Sequence, residues 1–224
     1  MSASSNIVTV AFVHVGRDHA LPCIMVASVR RTMPRARIVH LADENTEAVA
    51  GVDEILRLPY DGDRLMTCRL RHFAALKPCH AVFLDTDVIL QQDLSRLFRA
   101  EWDIALTRRD EAVPDPNGAD VAALMPYNTG VMLSKPSGWD FWANAWRYCE
   151  TLPLEHQKWW GDQLAVRAVA QGCPLVLREL PCSVYNYTPK SDLEDLQECA
   201  VVHYKGKRKA WMLERGRTEL NMSI

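Results

Sequence analysis

Residues 7 to 15, Ile-Val-Thr-Val-Ala-Phe-Val-His-Val, are almost continuously apolar and rich in β-branched side chains. A strand with so little polar alternation has no face suited to water, so it fits a parallel sheet covered on both sides. The same kind of run returns at Ala81-Val82-Phe83-Leu84, and helical patterns lie between the two. Gly16-Arg17-Asp18-His19 reads as a strand-to-helix turn. Beyond it Leu21, Ile24, Met25, Ser28 and Val29 recur at helical spacing until Pro34 stops the helix.

Arg37 to Ala42 and Val52 to Leu56 are expected strands, and Arg64 to Leu76 is an expected helix closed by Pro78. Further strands are expected at Asp103 to Thr107 and Gly130 to Leu133, and helices at Trp139 to Cys149 and Asp162 to Gln171. Alternating elements of this kind imply a parallel α/β sheet that binds ligands at the carboxyl ends of its strands. One domain, residues 1 to 224, accounts for the length. Arg108 to Pro126, with Pro114, Pro116, Asn117 and Gly118, is too long for a simple connection. It has little apolar surface of its own and is expected to order over a bound ligand.

Composition narrows the partners. With 48% hydrophobic and 24% charged residues, a formal charge of -2 and a pI near 6.4, the chain is an ordinary globular one without the basic surface of a nucleic-acid binder. Small molecules are the expected ligands. Seven cysteines without a C-x-x-C pair favour reduced thiols and a cytoplasmic setting. Met1 to Asn6 has no basic leader, and no apolar run reaches the roughly 18 residues of a membrane span.

The chemistry-bearing residues sit where strands end. Asp85 and Asp87 follow the Ala81 to Leu84 strand at a spacing of two, so both carboxylates can converge on one point. Like charges this close repel unless a proton or a cation lies between them. Hard oxygen donors suit Mn²⁺ or Mg²⁺, which leaves positions open for phosphate oxygens. A second buried strand, Ala200-Val201-Val202, delivers His203 into the basic, Gly206-containing segment Tyr204 to Trp211. The imidazole there is a candidate third ligand, and Gly206 and Lys209 are candidates for contact with a diphosphate. Trp139, Trp142 and Trp146 form a helical stripe expected in the core, and for Trp159 and Trp160 burial is favoured over the alternative of stacking on a sugar.

Four segments in order resemble the family 8 glycosyltransferases and related GT-A enzymes. They are Arg69-Leu70 leading into Ala81 to Leu90 with its D-x-D, then Tyr127-Asn128-Thr129-Gly130-Val131-Met132-Leu133, then Trp160-Gly161-Asp162-Gln163-Leu164, and finally His203-Tyr204-Lys205-Gly206 with Lys209 and Trp211. Together they span residues 69 to 211. The last is similar to the family's closing H-x-x-G-x-x-K-x-W element, except that Ala210 stands where proline is usual. The first strand, ending His14-Val15-Gly16-Arg17, departs from the family by lacking an acidic residue at the usual nucleotide-contacting place.

The resemblance implies a GT-A fold, Rossmann-like with a mostly parallel central sheet flanked by helices. It implies transfer of a hexose-type sugar from a nucleotide-diphosphate donor, a UDP-sugar, to a glycan, lipid-linked or other acceptor, with retention of anomeric configuration. Asp85, Asp87 and His203 would hold the cation, and Asn128, Asp162 and Gln163 would lie near the donor sugar. His14, Arg69, Thr86, Gly206 and Lys209 would contact the nucleotide diphosphate.

Two other readings compete. A haloacid-dehalogenase-like phosphatase would use Asp85 as nucleophile and Asp87 as general acid. That nucleophile strand normally comes first, though, and Val166 stands where a second acidic ligand is expected. A non-catalytic nucleotide-sugar-binding module would keep the same ligands without turnover. A Rossmann oxidoreductase is disfavoured because no G-x-G-x-x-G follows a strand.

Overall fold

The computed structural model describes residues 7–113 and 120–220. The chain opens with β1 (Thr9–Val13), α1 (Ala20–Thr32), β2 (Arg37–Ala42), β3 (Glu54–Arg57), α2 (Leu65–Ala75) and β4 (Ala81–Leu84). It continues through β5 (Val88–Leu90), β6 (Ile104–Arg108), α3 (Val121–Leu124), β7 (Tyr127–Ser134), α4 (Trp139–Glu150), α5 (Leu154–Lys158) and α6 (Gly161–Gln171). It closes with β8 (Leu177–Pro181), α7 (Cys182–Tyr185), β9 (Val201–His203) and α8 (Lys209–Glu219). Helix α1 ends two residues ahead of Pro34. After α2, Leu76 turns to extended backbone ahead of Pro78.

Seven strands form one sheet in the order β3-β2-β1-β4-β7-β6-β8. β7 alone runs against its neighbours, antiparallel to both β4 and β6, while β6 and β8 are parallel. The strand expected at Gly130 to Leu133 is therefore longer than its apolar run, and its direction reverses the local sheet. Strand β8 was not expected from the sequence, because Leu177-Arg178-Glu179-Leu180-Pro181 carries two charged residues and ends in proline. This suits an edge strand.

Side chains alternate across the sheet into two cores. Val10, Phe12, Val82, Leu84, Val131 and Leu133 pack against α1, β5, β9 and α8 through Ile24, Met25, Val29 and Met212. Ala11, Phe83 and Met132 pack on the other face with Leu70, Phe73, Trp142, Ala165 and Val166 of α2, α4 and α6. Trp139 and Trp142 are buried in this second core and Trp146 packs against it, as the helical stripe implied. Val166 is fully buried, so the place a phosphatase would give to an acidic ligand is filled by packing.

A separate two-stranded sheet pairs β5 with β9 antiparallel, setting Val88 opposite His203. All seven cysteines are free thiols. No helix among the described residues is long and apolar enough to cross a membrane. Within the long connection, Val121–Leu124 form a short helix and the Val121 N–H bonds the Val113 carbonyl. Pro114, Pro116, Asn117 and Gly118, like Met1 to Asn6, lie outside the described residues.

Candidate active site

Asp85 leaves the end of β4, and its N–H donates to the Gly130 carbonyl at 2.9 Å, so β7 holds the start of the Asp85-Thr86-Asp87 turn. The turn leads into β5, whose pairing with β9 brings in His203 from far along the chain; the Tyr204 N–H closes the junction on the Asp87 carbonyl at 2.8 Å. His203 Nε2 lies 3.0 Å from Asp87 Oδ1 and 3.5 Å from Asp85 Oδ2. One ligand atom from each of these three residues lies within 4.8 Å of the others.

The imidazole is oriented from behind. His203 Nδ1–H donates to Asn186 Oδ1 at 2.7 Å, so Nε2 is the ring nitrogen that faces the carboxylates. Asn186 is itself locked, since its amide donates at 2.8 Å to both Thr107 Oγ1 and Asn128 Oδ1. Gly130 completes the support, because a Cβ at that position would overlap the His203 ring. Nothing about Asn186 drew attention in the sequence: a single asparagine outside any periodic pattern gives no local signal.

Charge in the cluster is split. Burial pushes the Asp85 carboxyl above its usual range, against the opposing pull of Arg69 and His203. Burial acts on Asp87 in the same sense, but hydrogen bonds and charge from His203 and Lys209 hold it down to about 2. Two facing carboxylates with opposite tendencies and one imidazole nitrogen form an oxygen-rich donor set that fits Mn²⁺ or Mg²⁺.

Arg69 is the buried link between this cluster and α6. Its guanidinium donates to Asp85 Oδ1 at 2.5 Å, to the Thr129 carbonyl at 2.6 Å, to Thr129 Oγ1 at 2.9 Å and to Asp162 Oδ2. Asp162 is 1% exposed and also accepts from the Thr129 hydroxyl and the Gln163 N–H. Arg69 is thus engaged by protein carboxylates, whereas the resemblance had implied diphosphate contact. Gln163 Oε1 accepts from Arg109 at 2.6 Å, and Arg109 reaches on to the Met125 and Tyr127 carbonyls. That arginine, unremarkable in the sequence, ties the long connection to the site.

A cleft of about 340 Å³ is lined by Val13, Leu65, Met66, Arg69, Asp85, Thr86, Asp87, Thr129, Trp159, Trp160, Asp162, Gln163 and Lys209. Lys209 opens α8 and places Nζ 3.4 Å from Asp87 Oδ2. Gly206, at φ +60°, makes the turn before it, a conformation costly for other residues.

Four expected residues do not line the cleft; of these His203 touches it through Asp85 and Asp87, and the other three serve elsewhere. Asn128, 7% exposed, accepts from Asn186 and the Gly130 N–H beneath His203. His14 packs with His19 and His40 at ring separations of 5.1 and 5.7 Å, and burial together with His19 lowers its pKa. Gly206 shapes the turn that carries Lys209. The expectation for Trp159 and Trp160 is corrected outright: they are 56% and 59% exposed and stand at the cleft.

The sequence matches no family model. Nor does it match a curated protein. Solved structures do resemble it. The galactosyltransferase LgtC, in complex with donor and acceptor sugar analogs, matches over 96% of each chain at 16% identity with a TM-score of 0.59. A glycosyltransferase involved in glycosylation of the major capsid of PBCV-1 matches over 95% of this chain and 99% of its own, at 14% identity and a TM-score of 0.64. The glycosyltransferase GlyE of Streptococcus pneumoniae TIGR4 matches over 96% of this chain at 17% identity and a TM-score of 0.63, and the match spans 62% of GlyE. The chain has the GT-A fold of these glycosyltransferases.

Proposed function

We propose that this chain is a metal-dependent glycosyltransferase, which moves a hexose-type sugar from a UDP-sugar to a glycan or lipid-linked acceptor with retention. One observation carries the reading: Asp85 and Asp87 line a cleft with Lys209, Asp162 and Gln163, and His203 converges on the same two carboxylates, on a fold shared with LgtC. A bound Mn²⁺ or Mg²⁺ would supply charge against the diphosphate as the nucleotide leaves.

The protein's own groups do the rest. Asp85, Asp87 and His203 would hold the cation, and Asn186 keeps the imidazole in the ligating tautomer. Lys209 adds a mobile positive charge beside the same diphosphate. Asp162 and Gln163, at the start of α6, face the sugar side. Arg69 and the Thr129 hydroxyl hold the Asp162 carboxylate in place, and Arg109 orients the Gln163 carboxamide. Retention through an enzyme nucleophile or by attack on the front face is compatible with this arrangement.

The test is a screen of nucleotide-sugars for hydrolysis and transfer, with Mn²⁺ and with excess chelator, on the wild-type chain and Asp87→Ala. UDP-sugar turnover that needs the cation and is lost in the variant is the expected result, with the anomeric proton signals of the product reporting retention. Full turnover in chelator refutes the metal-dependent reading. Nucleotide binding without turnover identifies a binding module, and cleavage of a phosphomonoester points to a phosphatase.

A further inference from the structure

Trp159 and Trp160 sit at the junction of α5 and α6, immediately before Asp162 and Gln163, with more than half of each residue exposed. Tryptophan is mostly buried in folded proteins, and two adjacent exposed indoles give up apolar burial that a core position would supply. The backbone is also constrained. Trp160 has φ 67°, and among the described residues it is the one non-glycine residue with positive φ. Such strain persists only where the surroundings impose it, and it clusters at ligand sites.

The surroundings here are firm. Gly161 leaves no room for a side chain, since a Cβ would press on the His156 carbonyl and lie 3.0 Å from Cys149 Sγ. Gln157, 5% exposed, donates to the Glu150 and Leu152 carbonyls at 3.1 and 2.8 Å and accepts from Thr67 at 3.2 Å. Lys158 bridges to Asp63 at 2.8 Å. The N–H groups of Gln163 and Leu164 both close on the Trp160 carbonyl. The two indoles are therefore held at the cleft by a rigid junction.

We infer that Trp159 and Trp160 form the acceptor subsite, a paired aromatic platform for the C–H face of a pyranose ring. The inference rests on the transferase reading above. A sugar ring presents an apolar face suited to an indole and a rim of hydroxyls suited to polar side chains, and the cleft sets the two indoles beside Asp162, Gln163 and Thr129. The diphosphate belongs with the Asp-His cluster and Lys209. The exposed indoles lie next to Asp162 and Gln163 in the same cleft and face solvent.

Saturation-transfer NMR on the full chain tests this, with methyl β-D-galactopyranoside, methyl β-D-glucopyranoside, methyl α-D-mannopyranoside and lactose as probes, each with and without UDP and Mn²⁺. At least one glycoside is expected to bind the wild-type protein. Its affinity should fall roughly tenfold in Trp159→Ala, the scale of one lost aromatic contact, and be largely retained in Trp159→Phe. Trp160→Gly, which suits the left-handed backbone and so preserves the fold, should weaken the glycoside while leaving UDP affinity unchanged. Equal glycoside affinity in all variants overturns the inference, as does failure of every glycoside to bind the wild type. Loss of UDP rather than glycoside binding in Trp159→Ala also overturns it, by assigning the indoles to the base. Glycoside binding through the indoles without any UDP binding supports the carbohydrate site and removes the transferase reading.

Discussion

Replacing Arg69 by methionine removes the one cation that joins Asp85 to Asp162. The methionine fills similar volume, so the loss is electrostatic rather than a cavity. Four hydrogen bonds disappear, but the two carboxylates are affected unequally. The Asp85 side chain is 29% exposed, so water can compensate. Asp162 is 1% exposed and keeps only the Thr129 hydroxyl and the Gln163 N–H. Removing one partner of a buried pair costs about 3 to 5 kcal/mol, a large part of the roughly 5 to 15 kcal/mol that holds a domain together. For a chain of 224 residues the melting temperature should drop by roughly 6 to 20 °C. Urea unfolding of the metal-free protein, followed by circular dichroism with chelator present, measures this. The asymmetry provides the sharper check. Adding Asp162→Asn to Arg69→Met should recover at least about 1 kcal/mol, a coupling expected between contacting groups, and adding Asp85→Asn should recover less. A loss under about 1 kcal/mol for Arg69→Met, or further destabilisation on adding Asp162→Asn, would refute the argument.

Asn186→Ala should weaken Mn²⁺ binding in the presence of UDP by roughly tenfold to a hundredfold, because the His203 tautomer is no longer fixed; calorimetric titration reads it, and unchanged affinity argues against the orienting role. Lys209→Ala should weaken UDP binding by a similar factor, the scale of a charge-assisted hydrogen bond, while Lys207→Ala, outside the cleft lining, should do much less. Burial lowers the pKa of His40 to about 4, although its bond to the His14 carbonyl acts the other way, so the unfolded chain takes up a proton at higher pH than the native one. The stability it contributes is complete above its ordinary value of 6.5 and is lost as pH falls toward 4, about 2 kcal/mol between pH 7 and 5. Urea midpoints at those two pH values should differ less in His40→Gln, and an equal difference would exclude His40 as the source.

The sheet and the Asp85-Asp87-His203 cluster were legible because both rest on local signals at strand ends. Buried runs such as Ala81 to Leu84 announce strands, and carboxylates placed just beyond them have few structural uses. Direction within the sheet was less legible, since nothing in Tyr127 to Ser134 encodes that it runs against β4 and β6. The supporting residues were hidden for a related reason: Asn186 and Arg109 acquire their meaning from groups distant in sequence. Trp159 and Trp160 were misread because hydrophobicity argues for the interior, and only the packing around Gly161 shows that the junction turns them outward. Asn128, grouped with the sugar-facing residues by its motif, instead bonds Asn186 and the Gly130 N–H beneath His203.

The reversed strand β7 has a consequence for redesign. In a sheet of wholly parallel strands, variation at the functional rim is confined to segments that leave a strand. Here a segment that enters one, residues 120 to 126, arrives at the same rim through Tyr127 to Thr129. It is fastened there by Arg109 and separated in the chain from the Asp85-Thr86-Asp87 turn and from His203. A library of sequences inserted between Arg109 and Pro126 can therefore remodel the approach to the cleft while leaving the Asp85-Asp87-His203 cluster and its supporting asparagine as they are.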